Sequence, residues 1–182
     1  MKIFCPVISN FITQNFGENF NGFYAKLDLL GHNGIDYRAP IGTELRFNVD
    51  TRGEVIEVQD NPTYGKKIVI ITHDGDKHYL HYYGHLLDFA VKEGDVVDTG
   101  DLLGRCDNTG KYTTGSHLHY GIYECTANAA ILNRNNGYGG AINSKQWYAP
   151  MYVCEYLAKQ KEAIGILQRL INLVKQLLTK NK

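Results

Sequence analysis

The chain has 182 residues, and 19 Lys plus Arg balance 19 Asp plus Glu, so its formal net charge is zero. A neutral balance lacks the positive excess that general nucleic-acid binding needs, and 43% apolar with 21% charged residues excludes wholesale disorder. No window reaches the roughly 18 consecutive apolar residues of a membrane span.

The chain start, Met1-Lys2-Ile3-Phe4-Cys5-Pro6, reads without a secretory signal. Residues 1–124 read as β structure. Val55, Ile56 and Val58 alternate with Glu, and Ile68 to Thr72 is a β-branched run closed by the turn Asp74-Gly75-Asp76. Turn signals from Asn21-Gly22 to Gly115 recur about every ten residues, which suits a sheet or sandwich rather than βαβ units. The Asn- and Gly-rich stretch 133–143 reads as an exposed loop. Beyond Pro150, Leu157, Ile164, Leu167, Leu170, Ile171, Val174, Leu177 and Leu178 fall at helical spacing. The expected division is therefore 1–150 for the main domain and 151–182 for a C-terminal amphipathic helix. From 155 onward that helix holds six Lys or Arg against two Glu. Leu157, Ile164, Ile171 and Leu178 follow a heptad, with Leu167 and Val174 between them. This points first to a homo-oligomer or docking to a larger assembly, then to packing on the body, then to contact with an anionic surface. The four cysteines, Cys5, Cys106, Cys125 and Cys154, make no C-x-x-C pair and read as small half-buried thiols.

Seven histidines carry the chemistry. On a strand, His117 and His119 share one face while Leu118 takes the other. Two imidazoles on one face suit a metal site, or one ligand beside one acid–base group; two solvated surface histidines is the plain alternative. His32-Asn33-Gly34-Ile35-Asp36 opposes a helix and reads as a turn entering a strand, with an imidazole and a carboxylate converging. Alone, that spacing is a weak signal. His85 follows Tyr83-Gly84, and His73, His78 and His81 read as surface or packing residues.

Taken in order, these pieces resemble the lysostaphin-type zinc endopeptidases of bacterial cell walls. The resemblance runs over about residues 7–124. It begins with Ile12-Thr13-Gln14-Asn15-Phe16-Gly17, then His32-x-x-x-Asp36, Ala39-Pro40-x-Gly42-Thr43 and Gly53-x-Val55. Tyr64-Gly65, Tyr83-Gly84-His85-Leu86 and Val91-x-x-Gly94-Asp95-x-Val97 follow, and Asn108-Thr109-Gly110 and Gly115-Ser116-His117-Leu118-His119 close it. Arg46-Phe47-Asn48 and Tyr120 depart from the commoner residues. The resemblance implies a mainly β fold, the duplicated hybrid motif, with antiparallel sheets and barrel-like hairpins around a narrow groove. It implies one zinc ion held by His32, Asp36 and His119, and two unliganded active-site histidines, His85 and His117. Three protein ligands leave the fourth tetrahedral position for water, as in catalytic zinc sites.

The resemblance further implies hydrolysis of peptide bonds in peptidoglycan stems or cross-bridges. With no H-E-x-x-H glutamate, a histidine must serve as base. His117 is expected to handle the water proton and His85 the oxyanion or the leaving amine, and the sequence leaves the exchange of those roles open. Tyr37, Tyr64 and Tyr120 could line the groove, with ordinary packing the first reading for each. The alternatives are a non-catalytic binding or activator module and a structural virion component on the same fold. Action is expected outside the cytoplasm, by a phage-type lysin carried on a virion or released by lysis.

Overall fold

The computed structural model describes residues 1–62 and 64–180, the last four of these by backbone only. Its main sheet contains β2 (Ile12–Gln14), β3 (Ile35–Arg38), β4 (Glu44–Arg46), β5 (Gly53–Asn61) and β6 (Gly65–Asp74). It continues with β7 (Lys77–Phe89), β8 (Val96–Val97), β9 (Leu102–Cys106) and β10 (His117–Cys125). Strand order is β2-β3-β10-β7-β6-β5-β8, with β9 bridging β7 and β4, and every pairing is antiparallel. The sheet is open, since β2 and β8 end the path without meeting; the barrel-like hairpins do not close a barrel.

Local chemistry explains the pieces. Asp74 pairs with Lys77 across the two-residue turn Gly75-Asp76, where Gly75 adopts φ +62°. The β-branched run of β6 is buried on both faces. Ile68 and Ile70 enter one cluster with Tyr83, Leu86 and Leu118, whereas Val69 and Ile71 enter a second with Leu80 and Tyr123. The second cluster is covered by the loop after β10, through Ala129, Ile131, Tyr138 and Ala141. That Asn- and Gly-rich loop is therefore a tied lid on the core. Asn136 Oδ1 accepts from the amides of Tyr138 and Gly140, and Asn136 Nδ2 donates to Ala141 O.

Two strands lie outside the main sheet. β1 (Ile3–Cys5) pairs in parallel with β11 (Tyr148–Tyr152), which spans the 150/151 boundary. Pro150 thus sits in an edge strand, where its missing N–H costs no ladder bond. Helix α1 (Val153–Lys180) follows directly. Among the described side chains its first turns are the ones that pack: Val153 is fully buried, and Tyr156 stacks on Phe4 at 4.2 Å between ring centroids. From Ile164 to Val174 its apolar side chains are exposed. The heptad position Leu178, and Leu177 beside it, lie outside the described side chains. All four cysteines are free, and Cys5, Cys106 and Cys125 are buried.

Candidate active site

β10 lies between β3 and β7, and its register places His119 opposite Asp36 on one side and Gly84 on the other. His117 shares the face of His119, and Leu118 is buried in the core on the opposite face. His32 arrives from the turn before β3. His32 Nε2 lies 3.1 Å from Asp36 Oδ1, and His119 Nδ1 lies 3.0 Å from the same oxygen. The two nitrogens are 3.0 Å apart. These separations approach the roughly 3.3 Å edge of a tetrahedron built on bonds of about 2.0–2.1 Å, so the donor set fits zinc in size and chemistry. Among the described residues this is the one His/Asp group whose ligand atoms so converge, within 4.8 Å.

Hydrogen bonds set the protonation of the cluster. A carbonyl can only accept, so His32 Nδ1–H donates to Asn15 O at 3.2 Å and Nε2 is left as a lone pair facing Asp36. Burial pushes the Asp36 carboxyl up, but the neighbouring His119, which donates to it, and His32 outweigh that and hold the group well below the carboxylate range. Burial pushes His119 down, against the pull of Asp36. An ionised carboxylate beside a neutral imidazole is the state in which these groups bind a metal.

The other two histidines flank the cluster. His117 Nε2 lies 3.6 Å from Asp36 Oδ2, and its Nδ1–H donates to Gly115 O at 2.7 Å. His85 Nδ1–H donates to Thr109 O, also at 2.7 Å, and the two rings stand 4.6 Å apart. Both therefore turn Nε2 away from the backbone. Burial first, then the His119 charge, pushes His85 down to about 4. His85 occupies the left-handed region at φ +64°, where β7 leaves β10, shifts register against β6 and begins to pair with β9. A non-glycine residue there costs of order 1 kcal/mol or more, and the kink is what delivers the ring to the cavity.

Two glycines make the close approaches. A Cβ on Gly34 would stand 2.7 Å from His119 Cε1 and 2.6 Å from Tyr120 O. A Cβ on Gly65 would stand 2.3 Å from Thr109, the residue that orients His85. A cavity of about 260 Å³ opens on all five polar residues, His32, Asp36, His85, His117 and His119. Phe20, Phe23 and Tyr24, on 3-10 turns spanning Phe20–Leu27, form one wall, and Tyr64 and Tyr112 form another.

Residues 30–140 match the profile of Peptidase family M23. The chain belongs to that family. Peptidoglycan DD-endopeptidase ShyA of Vibrio cholerae is 31% identical over 138 residues, covering 76% of this chain and 29% of ShyA. The structure of LytU is similar at TM-score 0.56 and 31% identity, covering 74% of this chain and 81% of LytU. A zinc-containing peptidase from Vibrio cholerae is similar at TM-score 0.53 and 28% identity, covering 67% and 35%. The chain spans less than a third of the length of the curated relatives it matches.

The cavity gathers all five residues singled out in the sequence. Of the three tyrosines weighed between groove and core, one lines it. Tyr64 lines the cavity, but Tyr37 and Tyr120 are buried in the core. The reason is the strand period: Tyr37 follows Asp36 and Tyr120 follows His119, so both face away from the site. Sequence reasoning assigned no role to the carbonyls of Asn15, Thr109 and Gly115. Backbone acceptors carry no side-chain signature; only their place inside the quoted motifs marked them.

Proposed function

We propose that this chain is a zinc-dependent endopeptidase that hydrolyses peptide bonds in bacterial peptidoglycan stems or cross-bridges. The supporting observation is the triangle of His32, Asp36 and His119 donors at 3.0–3.1 Å with two further histidines beside it. In this reading His32, Asp36 and His119 hold the metal and His85 and His117 are catalytic. Zinc bound there supplies Lewis acidity to the scissile carbonyl and to water. His117 takes the proton of the attacking water, because its free Nε2 is the acceptor nearest the cluster and Asp36 Oδ2 stabilises the imidazolium that results. His85 can donate from Nε2 only after gaining a proton, since its resting proton is on Nδ1 toward Thr109. It then serves the oxyanion or the leaving amine. The aromatic walls orient the peptide and exclude water.

The peptidoglycan part rests on the similarity to ShyA and needs no phage origin. We assign this activity to residues 1–150 and read the C-terminal segment 151–182, whose helix begins at Val153, as a contact element for a second copy or a larger assembly. Its exposed apolar residues support that reading. The test is incubation with purified peptidoglycans, with and without chelator, followed by mass analysis of fragments. New amine and carboxyl termini that vanish on chelation and return with zinc are expected. Intact peptidoglycan from every source, with a fully metallated protein, would overturn the proposal and favour a binding module.

A further inference from the structure

A second cavity, of about 470 Å³, adjoins the first and shares Asn33, Tyr64 and Tyr112 with it. Asn33 forms the join: its Nδ2 donates to Tyr64 Oη at 3.1 Å and to Tyr123 Oη at 3.4 Å. Tyr82 and Tyr123 pack together on the far side, with ring centroids 4.6 Å apart. Among the described residues, Arg134 is the one charged side chain in the lining.

Arg134 differs from the other cations nearby. Lys67 lies over the Tyr82 ring at 5.3 Å but is neutralised by Glu57 at 2.9 Å. No described carboxylate lies within ion-pair distance of Arg134. Its charge nevertheless reaches Tyr82 and Tyr123, where it opposes the upward push of burial on both hydroxyls. The backbone under Arg134 is anchored, while its side chain is exposed. Arg134 stands on a turn closed by Asn136 N–H donating to Asn133 O, and the loop is anchored by Leu30 N–H to Gly137 O and Leu132 N–H to Glu124 O. An unpaired guanidinium lining a tyrosine-rich cavity suits a planar anion, and it matches a carboxylate in both charge and fork geometry.

We propose that this second cavity is a subsite for a free carboxylate carried by the substrate peptide, held by Arg134 next to the scissile bond. The inference rests on the endopeptidase reading and narrows it: peptides bearing a free carboxylate near the cleaved bond are preferred over neutral cross-bridges or amidated stems. Arg134 is then a specificity-determining residue, and Asn33 couples its pocket to the metal-side cavity.

The experiment uses two otherwise identical peptidoglycan peptides, one with its free carboxylates and one with them amidated. Binding to the full zinc-loaded chain is measured by calorimetry, and cleavage by mass analysis. The acid form should bind on the order of ten-fold tighter, as a charge-assisted contact predicts. Arg134→Gln should bring the acid-to-amide ratio close to one, and Arg134→Glu should invert it. Arg134→Lys should keep part of the preference. Because the readout is a ratio, a general loss of affinity leaves it interpretable. Lys111→Gln, next to the shared wall residue Tyr112, is the control and should leave the ratio intact. A ratio near one in the unmodified chain, a ratio untouched by Arg134→Gln, or one lost instead in Lys111→Gln would each overturn the subsite. An Arg134-dependent ratio with no cleavage of either peptide would uphold the subsite and overturn the peptidase reading. Cleavage of both peptides with no Arg134 dependence would do the reverse.

Discussion

The sheet and the C-terminal helix carry equally clear apolar periods, yet the two regions behave in opposite ways. In the sheet, Ile68, Ile70 and Leu118 are fully buried and their strand neighbours pack into a second cluster or turn toward the cavity. In α1, Ile164, Leu167 and Val174 remain 65%, 58% and 54% exposed. A period specifies which face of an element is apolar; it does not specify what covers that face. Coverage in the sheet comes from long-range pairing and from the loop after β10, while among the described side chains α1 meets the body through its first turns.

The contrast sharpens most at the candidate metal-ligand cluster, built by the sheet and the turn that enters β3. Asp36→Ala should remove most bound zinc and cut peptidoglycan hydrolysis by more than about 100-fold, since even second-layer changes cost up to that much. Far-ultraviolet circular dichroism should still report the β fold. Full zinc in that variant, by metal analysis, would show that Asp36 is not a ligand. His117→Ala and His85→Ala should instead keep one zinc per chain and lose about 10²–10⁴-fold in rate. Loss of metal from either would move that histidine into the ligand set.

A third effect belongs to the core behind the site. His81 is fully buried between Thr72 Oγ1 at 2.9 Å and Tyr120 Oη at 2.7 Å, and burial pushes it down to about 3. Its ordinary value is near 6.5, so the folded state disfavours the proton that the unfolded state accepts. The sign follows: stability is intact above pH 6.5 and falls as pH drops from there toward 3. Urea midpoints should correspond to a loss of about 2 kcal/mol between pH 7 and 5, with His81→Gln flattening the slope. An unchanged slope would mean that other groups set the acid sensitivity. A smaller effect is expected at the kink of β7. His85→Gly should unfold later than His85→Ala by about 1 kcal/mol, because glycine tolerates φ +64° without strain.

The legibility of the molecule follows the same divide. The five site residues were readable because two local rules apply to them: strand alternation at His117-Leu118-His119, and a turn at His32-Asn33-Gly34-Ile35-Asp36. The β6–β7 hairpin was readable from its β-branched run and Gly75. Tyr37 and Tyr120 stayed open between groove and core because tyrosine suits both, and only the register with Asp36 and His119 decides. β1 and β11 were missed because their pairing joins residues about 145 positions apart, and Pro150 argues locally against a strand. The left-handed His85 was invisible too, since no side-chain pattern announces a kink at which a strand changes partners.

The smallest effect should come from shortening the chain after Ala163. If the exposed run from Ile164 onward touches nothing in the monomer, its loss should change unfolding free energy by less than about 0.5 kcal/mol, the usual range for surface changes. Zinc content and hydrolysis should be unaffected. Tyr156→Ala gives the internal contrast, because it removes the stack on Phe4 and should cost about 0.5–1.5 kcal/mol beyond its lost burial. Both variants are best compared with the full chain at two concentrations a hundred-fold apart. Self-association through α1 makes the unfolding midpoint of the full chain rise with concentration, since binding stabilises the folded state by mass action. The shortened chain would then show no such rise. A full chain with a concentration-independent midpoint and monomeric light scattering at tens of micromolar would refute pairing with a second copy. A shortened chain destabilised by several kcal/mol at every concentration would show that the body itself covers the helix face, and that sheet and helix are not so different after all.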